Sequence, residues 1–174
     1  MNTQEECQEL LMQDVVRIDI MPVETLKVNV PFNLPDVAEA VVTMADDSPL
    51  TDAGLFMESR LSIAETGTAL ADAEMQVGLS HKVSEKRDSA GTIHSHTLQV
   101  PIESGFQTIR IKEGALHETD FHIVLTTAEG TRYLAYGLPN TSQFSIDDQK
   151  GQTSKMTIKA TVQSMSGLIK ISDN

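Results

Sequence analysis

Between Met156 and Gln163 the chain sets Met156, Ile158, Ala160 and Val162 against Thr157, Lys159, Thr161 and Gln163. A strict period of two places one set on each side of a strand, so the segment has one buried and one wet face. The surrounding stretch from Gly130 to Ile171 reads as strand, turn, strand, turn, long strand, Ser-Gly break and short strand. That order predicts an antiparallel sheet packed on one side.

A second pair of alternating segments precedes it. Met75, Val77, Leu79, His81 and Val83 form one apolar set, and His94, His96, Leu98, Val100 and Ile102 form another, separated by the polar run Glu85 to Gly91. Opposed side chains in an antiparallel pair share a face, and pairing residues whose numbers sum to 177 buries every apolar residue of both strands. This predicts a hairpin with His81 facing His96. Phe106, Ile109 and Ile111 are expected as the next strand, ended by a turn at Glu113-Gly114, followed by Phe121 to Leu125 and by Tyr133 to Leu138 beyond a turn at Glu129-Gly130.

Nearer the N-terminus the pattern is mixed. Thr3 and Glu6 have the spacing of a capping box, and Cys7, Leu10 and Leu11 follow at helical intervals, predicting a short helix over 4–14. Residues 15–31 alternate through Val16, Ile18 and Ile20, then Leu26, Val28 and Val30, as two strands or one bent strand broken at Met21-Pro22. Pro31 and Pro35 end the segment, since proline cannot feed a ladder hydrogen bond. Over 36–73 neither period holds; Val37 to Met44 fits a helical turn or a strand, and the acidic stretch is expected as an irregular insertion. Roughly eight to ten strands at this spacing suggest a sandwich or barrel. The fold class expected is therefore mainly β: an antiparallel β-sandwich or barrel in one domain, with a short N-terminal helix, an irregular acidic segment and a β core over 74–171.

Charge narrows the partners. Residues 1–80 hold 15 acids and 3 bases, while 81–174 hold 10 of each, so the whole net charge of −12 belongs to the first half. Such a field repels phosphate backbones and anionic membranes. With no Trp, two Tyr and five Phe there is little stacking surface for bases either. No nucleic-acid or membrane partner is expected. Cys7 is the lone cysteine, and the N-terminal residues lack the basic and apolar regions of a signal peptide. The expected location is the cytoplasm; a secreted adhesin would need an export signal that these residues do not carry.

The candidates for chemistry are few. His81, His94 and His96 fall on one face of the expected hairpin and form the best metal candidate, although no carboxylate or thiol on that face completes the set. His117 to His122 spells H-E-T-D-F-H, one residue too long for the zinc-protease spacing H-E-x-x-H. No phosphate-binding glycine loop and no nucleophile elbow occurs. Asp46-Asp47 and Asp147-Asp148 stand in turn-like contexts. No catalytic residue and no cofactor is expected. Tyr133, Tyr136, Leu138 and Pro139 form a candidate interaction patch, since Tyr is favoured at interfaces.

The order of Gly130, Tyr133, Gly137, Pro139, Phe144, Asp147, Gly151, Met156, Ile158 and Val162 resembles the C-terminal part of small virion-associated proteins of tailed bacteriophages and prophages. The resemblance covers about a quarter of the chain. It implies a structural subunit of the head-to-tail joint or tail, which works by self-association and by contact with other virion or operon-encoded proteins and ends in the virion. The expected function is a non-enzymatic assembly subunit. The alternatives are a small-molecule or metal-binding β module using the three histidines, and a cell-surface adhesion domain.

Overall fold

A computed structural model of the chain describes residues 15–29, 39–47, 61–65, 71–75, 79–88, 91–148, 156–165 and 167–172. These residues form twelve strands and one α-helix: β1 Val15–Pro22, β2 Leu26–Asn29, β3 Glu39–Met44, β4 Leu61–Glu65, β5 Ala73–Met75, β6 Ser80–Asp88, β7 Gly91–Ser104, α1 Phe106–His117, β8 Phe121–Thr127, β9 Arg132–Ala135, β10 Gln143–Asp148, β11 Met156–Ser164 and β12 Ile169–Ile171. The expected helix over 4–14 lies outside the described residues. Among the described residues no helix is long and apolar enough to cross a membrane.

The protein is mainly β, but its strands form one open mixed sheet that does not close into the expected barrel. The order is β10-β11-β7-β5-β4-β1-β8-β9-β12-β3-β2, with β6 alongside β7. The pairs β4–β5 and β3–β12 run parallel, and the others are antiparallel. The sheet curls far enough that the end of β11 meets the segment after β9, where the Leu138 N–H donates to the Gln163 carbonyl at 2.8 Å.

Two cores follow from the curl. The larger holds Ile18, Ile20, Ile63, Val100, Ile123 and Ile158 with Ile109 and Leu116 of α1; the smaller holds Met21, Val42, Val124, Leu134 and Ile169. Because β8 separates them, all seven residues of Phe121–Thr127 are buried. A strand covered on both faces has no wet side to show, hence its unbroken F-H-I-V-L run.

Four expectations are corrected. Residues 36–73, expected as an irregular insertion, supply β3, β4 and the start of β5, with β4 beside β1 in the middle of the sheet. Leu61–Ala64 is buried on both faces, so the alternation that marks a strand is missing there. The segment Phe106–Ile111 is helical, not extended. Ile109 and Leu116, seven apart and thus two helical turns, are both buried, whereas Ile111 is 81% exposed. Gly105 opens this helix at φ 92°, where a Cβ would come within 2.6 Å of the Ala73 backbone.

The hairpin register is the third correction. The sum of 177 holds at Met75↔Ile102, but β6 pairs at 179, placing His81 opposite Leu98 and Val83 opposite His96. A slip of two leaves every side chain on its face, so hydrophobic alternation cannot choose between the registers. The connection chooses: pairing continues to Asp88↔Gly91, leaving two residues between the strands. Finally, the break expected at Met21-Pro22 falls just after Pro22, where a 3-10 turn at Val23–Thr25 separates β1 from β2.

Candidate functional site

The two ends of an open sheet and the outer side of β6 are where another chain can add. Among the described residues β2, β6 and β10 each have a single strand neighbour. Their side chains differ. β6 carries Lys82, Glu85, Lys86, Arg87 and Asp88, a charged edge of the kind that discourages strand addition. β2 has four residues, with an exposed Lys27 bound to Asp47 at 2.8 Å. β10 begins Gln143-Phe144-Ser145-Ile146, without a charge before Asp147.

The chain entering β10 is pinned from several sides. The Asn140 N–H donates to both Asp120 carboxylate oxygens at 3.1 Å, and the Thr141 hydroxyl donates to the Leu138 carbonyl at 2.8 Å. The same hydroxyl accepts from Gln163 N–H at 3.2 Å, and the Phe121 N–H donates to the Ser142 hydroxyl at 3.0 Å. β10 then pairs with β11 from Gln143↔Thr161 to Asp148↔Met156. Phe144 is buried in the larger core with Ile146 packed at its margin, while Gln143, Ser145 and Asp147 are exposed.

Along this strand runs a cleft of about 340 Å³ lined by His117, Ser142, Gln143, Phe144, Ser145, Lys159 and Thr161. His117, in the last turn of α1, meets Phe144 edge-on with ring centroids 6.1 Å apart. The lining has two basic side chains and no acid.

The expected histidine site is not assembled as a metal centre. His81 and His96 stack with 4° between their planes and share a hydrogen bond, Nε2 to Nδ1, at 3.1 Å. His94 instead faces Glu85 at 3.6 Å. Among the described residues no group of three or more His, Cys, Asp or Glu is placed to hold a metal ion. Burial first, then the neighbouring His96, pushes His81 down to about 4, so the ring is neutral at physiological pH.

Nor do the tyrosines form one patch. Tyr133 packs against the larger core and Tyr136 against the smaller, because they lie an odd number of residues apart. Tyr136 covers His122, whose Nδ1 accepts the Gly137 N–H at 2.9 Å. Leu138 is half-buried and Pro139 exposed in the turn beyond.

One polar cluster escaped the sequence reading. Asp19 on β1 accepts from the Arg17 guanidinium at 3.0 Å and from the Ser62 hydroxyl on β4 at 2.5 Å, all three being buried. Arg17 and Asp19 alternate with Val16, Ile18 and Ile20 and therefore read as a wet face. Their opposite signs two residues apart, followed on that face by Met21, were the available signal. Burial pushes the Asp19 carboxyl up, and Arg17, Ser62 and Arg132 pull it back. The cluster joins β1 to β4. Comparison with protein-family models, with curated proteins and with solved structures gives no match for this chain.

Proposed function

We propose that the protein is a non-enzymatic assembly subunit that acts through the margins of its sheet, in the setting implied by the resemblance, a bacteriophage or prophage virion at the head-to-tail joint or tail. The observation that carries this reading is the place of β10 at the end of the sheet among the described residues, with an uncharged stretch, exposed side chains and a cleft beside it. An edge with unused backbone donors and acceptors is a template for another strand. The buried Asp19 cluster and the His81–His96 pair serve the fold in this reading, since their side chains are largely occupied with one another.

The test is the state of association of the full chain. Multi-angle light scattering at micromolar concentration should give a mass above 19.0 kDa, or a monomer that assembles on addition of proteins encoded beside it. A strict monomer that binds none of them would overturn the proposal.

A further inference from the structure

We infer that β10 pairs with β10 of a second copy, antiparallel, about a two-fold axis through Ser145. The inference rests on the assembly reading above and names its partner and register. A two-fold axis normal to the sheet opposes residues whose numbers sum to twice that of the central residue, and opposed residues share a face. Centred on Ser145, Phe144 lies beside Ile146 of the second copy, Ser145 beside Ser145, and Gln143 beside Asp147. The apolar face of β10 and β11 then continues unbroken into the second copy. Centring on Ile146 would set Phe144 opposite Asp148, and centring on Phe144 would set Ile146 opposite Ser142; each opposes an apolar residue to a polar one.

Charge favours the same register. The cleft beside β10 is lined by Gln143, Lys159 and His117 and has no acid in its lining. The second copy's Asp147 falls opposite Gln143, on the exposed face that Ser145 shares with Lys159, and so brings a carboxylate toward Lys159, while His117 on the Phe144 side already meets Glu113 at 3.4 Å. The other margins are unsuited: β6 opposes a charge-rich edge to itself, and β2 offers four residues.

Replacing Ser145, an exposed residue, places like charges directly against each other across the axis while leaving the core untouched. Ser145→Lys and Ser145→Glu should each raise the dimer dissociation constant about two- to fivefold in sedimentation velocity. An equimolar mixture of the two should restore dimers, because opposite charges then meet at the axis. Circular dichroism of each variant should match the parent; because Lys159 on β11 lies opposite Ser145, the unfolding midpoint should fall slightly in Ser145→Lys and rise slightly in Ser145→Glu, so weaker association in both variants separates lost pairing from lost folding. In the parent freed of Cys7 by Cys7→Ser, Ser145→Cys should oxidise to a covalent dimer, since directly opposed strand residues lie about 4.5–5.5 Å apart, within disulfide reach. If the parent self-associates and both charged variants do so equally well, or if mixing restores nothing, another surface pairs the copies and this inference fails while the assembly reading stands. A parent that is monomeric at every concentration also overturns it, and capture of neighbouring-frame proteins then decides the assembly reading separately.

Discussion

Asp19 shows how a single residue can tie two strands. Its carboxylate takes the Arg17 guanidinium along β1 and the Ser62 hydroxyl across to β4, with no exposed surface of its own. Removing one member of a buried charge pair strands the other in a low-dielectric site, and Asp19→Ala should cost about 3–5 kcal/mol in urea unfolding. Two histidines make the fold sensitive to acid. His81 is lowered to about 4 by burial and by His96; His122 is lowered to about 4 by burial, against Asp120 which raises it. Between the ordinary value of 6.5 and about 4, the unfolded chain holds protons on these rings that the folded chain does not. These two rings therefore make stability fall as pH is lowered through that window, while Asp19, raised by burial, contributes with the opposite sign. His81→Gln and His122→Gln should each reduce the loss in urea midpoint between pH 7 and pH 4.5, whatever their stability at pH 7; an unchanged slope would refute the assignment.

At the scale of elements, β8 and α1 make opposite demands. Ile123 is fully buried in β8, and Ile123→Ala should cost about 2–5 kcal/mol. Ile111 projects from α1 into solvent, and Ile111→Gln should stay within about 0.5 kcal/mol of the parent. Gly137 has its Cβ position against the Phe121 carbonyl oxygen and near Val162, so Gly137→Ala should cost about 1–3 kcal/mol through overpacking. The elements legible in the sequence were those with one wet face. β11 alternates buried and less buried along all nine residues, as its period of two predicts, and β10 and β12 follow the turns that announce them. β4 was not legible because both of its faces are covered. α1 was misread because Ile109 and Ile111, two apart, imitate a strand, while the residue that shares a face with Ile109 is Leu116. The register of β6 could not be read from alternation, which a two-residue slip preserves. Of the candidate site, the pattern of β10 was visible, but its place at the end of the sheet was not, since a local pattern does not say how many neighbours a strand has.

For the molecule as a whole, the uneven charge governs association. The net charge of −12 lies in residues 1–80, whereas β10 and β11 belong to the half whose charges balance. Joining β10 to β10 brings together two copies that each carry a net charge of −12, so the copies repel at long range. Raising salt from about 0.01 M to about 0.15 M shortens the screening length from about 30 Å to about 8 Å and should tighten the dimer. Weaker association in the higher salt would mean that local ion pairs outweigh the long-range field. The position of β8 between the two cores has a further effect, on melting. A partition with oil on both sides cannot be kept by one chamber after the other has flooded. Calorimetry on the intact chain should accordingly record a single endotherm, and in hydrogen–deuterium exchange the amides of Ile123, Val124 and Leu125 should be among the last to trade their protons.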